Sequence, residues 1–183
     1  SSTSLGGSGH LNPAVTIALA ATGQFSSSMV GTYLLAQLAG AFTGAVIVWL
    51  TYHSHFEITD DADLKKAIFC TAPGIRKPLN NVFTEFIGTF VLMFGALSFT
   101  DPAASMGTLN ALPVSLVVLG IGLSLGGPTG YAINPARDLG PRIAHFILPI
   151  KGKRDSDWGY SWVPIVGPIA GAVLAAVLFK QLN

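Results

Sequence analysis

Residues 126–141 read GGPTGYAINPARDLGP, and residues 9–16 read GHLNPAVT. Both stretches carry Asn-Pro-Ala behind a glycine-rich run, at Asn12-Pro13-Ala14 and Asn134-Pro135-Ala136. Asparagine is a favoured N-cap, and proline suits the first helical position because the N–H it lacks would be unpaired there. Each triplet therefore predicts the start of a helix. The apolar pieces that follow, Pro13 to Thr22 and Pro135 to Leu148, are too short to cross a hydrocarbon core about 30 Å thick. The runs before them, LGGSGHL and GGPTGYAI, read as irregular strands, which membrane depth tolerates only where they are buried in protein or line a wet cavity. The pattern predicts two half-membrane helices facing a cavity.

The rest of the chain supplies the membrane. Of its 183 residues 50% are hydrophobic and 10% are charged, against about a quarter charged in soluble domains. Four apolar stretches are long enough to span, at roughly 30–52, 81–99, 108–126 and 160–179. The fold class expected is an all-α, multi-pass integral membrane protein. A formal net charge of +1 without a basic stripe gives no reason to expect nucleic acid. The single cysteine, Cys70, excludes an internal disulfide and a cysteine-based zinc site. No cofactor or metal is expected.

The two triplets lie 122 positions apart, and each half-helix is followed by a span with a G-x-x-x-G ridge, Gly40 and Gly44 in the first and Gly167 and Gly171 in the second. Such ridges let helix backbones approach closely in lipid. Three crossings separate the triplets, an odd number, so the second copy enters from the opposite face as an inverted repeat. Two spans precede Asn134 in its half, whereas only eleven residues precede Asn12. The expectation is a truncated first repeat over 1–78 and a complete second repeat over 79–183, the chain lacking the first two transmembrane helices and SSTSLGGSG being an internal loop.

An N-capping asparagine uses its side-chain oxygen on the helix backbone, which leaves its NH2 free to donate. Asn12 and Asn134 would present donors side by side, where the positive ends of both helix dipoles meet. Arg137, near the third position of the second half-helix, opposes that dipole, and a residue set against local preference inside a membrane is a functional candidate. The first copy has Val15 there. Asp138 and Arg142 are spaced i, i+4 with the acid first, the better orientation for an ion pair. His10 has no second His, Cys or carboxylate close in sequence to make it a metal ligand or general base. A membrane-embedded enzyme built on His10, Arg137 or Asp138 lacks any nucleophile–base pair.

The paired motifs GHLNPAVT and GYAINPARDLGPR resemble those of the major intrinsic protein family, the aquaporins and glycerol facilitators. The resemblance implies an aquaporin-like fold of six tilted helices with two half-helices meeting at the pore centre, assembled as a homotetramer in the cell membrane. It implies that carbonyls of Ser8, Gly9 and His10, and of Gly130, Tyr131 and Ala132, line the pore. It makes Arg137, Tyr131 and Gly122 the filter, with Glu85 accepting hydrogen bonds from the half-helix loops and Gln37, Asp138 and Arg142 in support. Asp138 with Arg142, Pro164-Ile165, and glycine rather than histidine at Gly122 look like the glycerol-conducting branch; Tyr131, where phenylalanine is commoner, leaves a chiefly water-selective channel as the alternative. The expected partners are glycerol, other small neutral solutes, water and the lipid bilayer, with cations and protons repelled at the centre, as in aquaporin-type pores generally.

Loop charge points the other way on orientation. The stretch 53–78 carries Lys65, Lys66, Arg76 and Lys77, whereas 100–107 has no Lys or Arg. Counting these charges places 53–78 in the cytoplasm, while the resemblance places it outside. We follow the resemblance, reading Glu57, Asp60, Asp61 and Asp63 as an ordinary solvated loop.

Overall fold

A computed structural model describes residues 9–99, 109 and 111–182. Its α-helices run in the order α1 (Pro13–Ala21), α2 (Ser27–Thr51), α3 (His53–Ile58), α4 (Ala62–Ala67), α5 (Pro78–Ser98), α6 (Leu112–Thr129), α7 (Pro135–Ile147) and α8 (Val163–Leu182). Four are long and apolar enough to cross a bilayer: α2, α5, α6, and α8 with the 3-10 turn Trp158–Tyr160 before it. The half-helices α1 and α7 have 9 and 13 residues, about 14 and 20 Å at 1.5 Å per residue. Both begin as the sequence predicts, with an asparagine cap and proline first.

Packing exchanges the two halves. The half-helix α1 packs against α8, the span that follows α7, and α7 packs against α2, the span that follows α1. Small residues make both contacts close. Ala14 and Ala18 of α1 are buried among Ala172, Ala175 and Ala176 of α8 and Met93 and Leu97 of α5. A Cβ on Gly140 of α7 would lie 2.7 Å from the Ala41 side chain and 2.9 Å from the Phe42 backbone nitrogen on α2. This crossing ties the ends of the described chain into one body.

The two glycine ridges have different surroundings. On α8, a Cβ at Gly171 would stand 2.1 Å from the Phe86 carbonyl oxygen, and one at Gly167 would stand 2.8 Å from that of Val82, so α5 and α8 touch backbone to backbone. On α2, a Cβ at Gly40 or Gly44 would meet nothing within 4 Å. Both glycines instead line an open groove of about 860 Å³. Among the described residues, the second ridge is a closed contact with α5 and the first faces the groove.

One boundary also differs from the expectation. GGPT does not begin an irregular strand: α6 continues through Gly126, Gly127 and Pro128 to Thr129. It stops at Gly130, whose left-handed φ of 73° ends the helix as its N–H donates to the Gly126 carbonyl at 2.8 Å. The irregular strand is thus only Gly130 to Ile133. In the loop after α2, Lys65 and Lys66 are buried, and Lys65 Nζ donates to the Lys151 carbonyl at 2.5 Å. These are two of the four basic residues in the topology count. Asp61 caps α4, and Asp63 pairs with Arg154. Ser8 and the 100–107 loop lie outside the described residues.

Valine at Gly171 would drive α5 and α8 apart, because a backbone carbonyl cannot rotate out of its way. We expect Gly171→Val to lower stability in detergent by more than about 2 kcal/mol. Gly159→Ala, whose Cβ would meet nothing within 4 Å, should melt like the wild type. Equal melting of the two variants in circular dichroism would contradict the backbone contact.

Candidate functional site: two half-helix ends and a strained strand

The N-termini of α1 and α7 meet through a reciprocal pair of hydrogen bonds. Asn12 Oδ1 accepts from the Ala14 backbone N–H at 2.9 Å, and Asn12 Nδ2 donates to the Ile133 carbonyl at 2.7 Å. Asn134 Oδ1 accepts from the N–H groups of Ala136 and Arg137 at 3.0 and 3.2 Å, and its Nδ2 donates to the Leu11 carbonyl at 3.1 Å. Each asparagine caps its own helix and holds the residue before the other asparagine. The amides are therefore not wholly free, as the sequence reading had them. One N–H of each is spent on the crossing, which leaves one for a solute.

Helix dipoles add to this arrangement. Both positive ends face the junction, an environment that favours electron-rich oxygens and disfavours cations. Lysines serve the opposite ends. Lys180 Nζ donates to the carbonyl of Thr22, the C-cap of α1, at 2.9 Å. Lys153 Nζ donates to the carbonyls of His145, Phe146 and Leu148 at the end of α7. Cations at C-termini complement the dipole.

Glu85 on α5 organises the second strand. It is 1% exposed, and its carboxylate accepts from the backbone N–H of Ala132 at 2.9 Å and of Ile133 at 2.7 Å. An interfacial, water-facing glutamate is thereby excluded. Tyr131 and Ile133 hold positive φ values of 37° and 43°. For side-chain-bearing residues this costs about 1–3 kcal/mol each and persists only where the surroundings over-determine it. Here the carboxylate holds two N–H groups of the strand and Asn12 holds the Ile133 carbonyl.

The first strand is held by other means. Gln37 Nε2 on α2 donates to the His10 carbonyl and to Thr16 Oγ1, both at 2.9 Å. His10 Nδ1 lies 2.8 Å from Thr16 Oγ1, and the imidazole packs against the rings of Phe25 and Tyr33, each with centroids 4.7 Å away. His10 is thus part of a polar and aromatic knot, with its carbonyl already engaged.

Arg137 and Tyr131 face the open space. Arg137 is exposed and lines both the large groove and a second cavity of about 530 Å³, as do Gly9, His10 and Asn134. Tyr131 and Ala132 line the second cavity. Gly130 ends α6 and begins the strand that carries them. Gly122 does not leave a void. A Cβ there would lie 3.1 Å from Tyr131 Cζ, and one on Gly126 would lie 3.3 Å from its Cδ1. The two glycines form a shallow seat for the tyrosine ring.

Behind α7, Asp138 and Arg142 are both 0% exposed and form a two-pronged ion pair, with Nε to Oδ2 at 2.8 Å and Nη2 to Oδ1 at 2.7 Å. Arg142 Nη1 also donates to the carbonyls of Ser156 and Asp157 at 2.6 and 3.0 Å. Nearby, burial pushes the Cys70 thiol up to about 11, although the Arg142 guanidinium pulls it down. Sequence reasoning missed Thr71, Ser156 and Lys153, since hydrogen bonding between loops distant in sequence leaves no periodic signal.

Two half-helices with apposed N-termini, set among membrane-spanning helices and flanked by Arg137 and Tyr131, place a cluster of polar donors between open cavities inside a membrane protein. The chain belongs to the major intrinsic protein family, whose sequence pattern it matches over residues 3–179. It is 59% identical over 173 residues to a probable glycerol uptake facilitator protein of Thermotoga maritima, covering 94% of this chain and 74% of that one. It is 52% identical over 171 residues to a glycerol uptake facilitator protein of Bacillus subtilis, covering 93% and 62%. Its structure is similar to that of the aquaglyceroporin from Plasmodium falciparum, with TM-score 0.84 and 31% identity over 96% of this chain and 73% of that one.

Two outcomes test the site. Replacing Glu85 by Gln turns one acceptor into a donor facing a backbone N–H, and leaving that group unpaired should cost about 1–3 kcal/mol. A Glu85→Gln protein that melts like the wild type would contradict the role of both oxygens. The thiolate of Cys70 should be scarce at pH 8, since its fraction rises only as pH approaches about 11. Alkylation of Cys70 by iodoacetamide should therefore be slow in the folded protein and become fast in SDS; rapid labelling of both forms would refute the burial.

Proposed function

We propose that this protein is a passive channel for glycerol and other small uncharged polyols, passing some water and excluding ions and protons. The observation that carries the reading is the crossed asparagine junction beside Arg137 and the Tyr131 wall. A polyol must give up hydrogen bonds to water on entering a narrow passage, and unpaired hydroxyls there cost several kcal/mol. The remaining amide N–H groups of Asn12 and Asn134 and the guanidinium of Arg137 donate to its oxygens. Carbonyls of the two strands accept from its hydroxyls, while the aromatic face takes its carbon side. A cation meets the reverse, with donors and the positive helix ends facing it.

The seat formed by Gly122 and Gly126 supports passage of a polyol rather than of water alone. Glycine there lets the Tyr131 ring recede against α6, whereas a larger residue pushes it into the lumen. The names of the relatives agree with this reading. By the same analogy, residues 1–78 and 79–183 are the two repeats, and the protein works as a homotetramer in the plasma membrane with the 53–78 loop outside.

Stopped-flow light scattering on proteoliposomes tests the function directly, comparing shrinkage under an impermeant osmolyte with re-swelling under a glycerol gradient. We expect fast glycerol re-swelling, slowed about tenfold or more in Gly122→His, a barrier rise of about 1.4 kcal/mol. Fast shrinkage without glycerol re-swelling would make the protein a water channel instead.

A further inference from the structure

The two side chains read as the filter stand on different pieces of backbone. Tyr131 follows the end of α6, and Arg137 lies in the first turn of α7. One segment of the α4–α5 connection reaches both from behind. On the α7 side, the backbone N–H of Thr71 donates to Asp138 Oδ1 at 2.8 Å, and Thr71 Oγ1 donates to the same oxygen. Arg142 Nη2 closes the ring by donating to the Thr71 carbonyl at 3.0 Å. On the α6 side, Gly74 N–H donates to the Pro128 carbonyl at 3.1 Å. There Thr71 Cγ2 and the Ala72 carbonyl oxygen lie 3.7 and 3.8 Å from where a side chain on Gly130 would begin.

Thr71 therefore has its hydroxyl on the arginine-bearing helix and its methyl on the turn that carries the tyrosine. It is buried and lines neither cavity. Asp138 is the immediate neighbour of Arg137, and Gly130 that of Tyr131. We propose that Thr71 is a positioning residue for selectivity, a bridge that fixes the spacing of Arg137 from Tyr131 and so the relative passage of polyol and water. The strained φ of Tyr131 makes such a bridge consequential: with the turn less firmly held, the backbone has a lower-energy conformation to relax toward.

The proposal rests on the reading of Tyr131 and Arg137 as the filter, and its test separates the two. Thr71→Val keeps the shape and the backbone N–H but removes the hydroxyl donor, while Thr71→Ser keeps the donor. Glycerol and water permeabilities are measured in proteoliposomes and normalised to folded protein. We expect the glycerol-to-water ratio to change by about threefold or more in Thr71→Val, and to change less in Thr71→Ser, which keeps the donor but loses the methyl against the Gly130 turn. Should Thr71→Val not fold, Gly74→Ala loosens the other anchor and leaves the ion pair intact, since its Cβ would stand 3.0 Å from the Gly127 carbonyl oxygen. It should shift the ratio as well. An unchanged ratio, with both permeabilities falling together as folded protein is lost, would make Thr71 a structural residue and overturn the proposal. A wild type that passes water but no glycerol overturns the glycerol reading by itself. The bridge is then judged on water permeability per folded channel, and equality of Thr71→Val with wild type overturns it.

Discussion

Backbone polar groups inside a bilayer must find partners within the protein, and most of what this molecule does with its polar side chains answers that demand. Two helices that stop at mid-membrane leave unpaired N–H groups at one end and carbonyls at the other. At the inner ends, Asn12 and Asn134 cap their own helices and then reach across, each to the carbonyl preceding the other. At the outer ends, Lys180 and Lys153 take the last carbonyls. The donors left over at the centre then have only a passing solute to serve.

The strand before α7 shows the same constraint worked out under strain. Left-handed conformations at Tyr131 and Ile133 are unfavourable for side-chain-bearing residues, yet in this strand Glu85 takes the N–H groups of Ala132 and Ile133 and Asn12 takes the Ile133 carbonyl. One buried carboxylate thus fixes the direction of a whole strand. The strand before α1 has no such anchor among the described residues and relies on Gln37, Thr16 and the packing of His10.

Close approach is the second requirement, because lipid supplies no hydrophobic drive for helices to associate. The α5–α8 contact shows it most fully, with Gly167 and Gly171 seated on the backbone of Val82 and Phe86. Gly140 of α7 makes a similar approach to Ala41 and the Phe42 backbone on α2. At Gly122 the missing side chain makes a seat for Tyr131 rather than a wider void.

The sequence by itself determined the local elements: four spans from apolar runs of sufficient length, two half-helices from Asn-Pro caps, and an inverted arrangement from the odd number of crossings between them. It also marked Arg137, because a cation in a first helical turn violates a local preference. Those features depend on neighbours along the chain, so composition and spacing carry them. Only the tertiary structure decided that α1 packs on α8 and α7 on α2, that each asparagine spends one N–H on the crossing, that α6 runs through Pro128, and that Asp138 and Arg142 bind Thr71, Ser156 and Asp157. The asparagine crossing alone joins residues 121 and 123 positions apart. Such outcomes depend on which backbone groups remain unpaired once the helices are in contact, and no window of sequence contains that information.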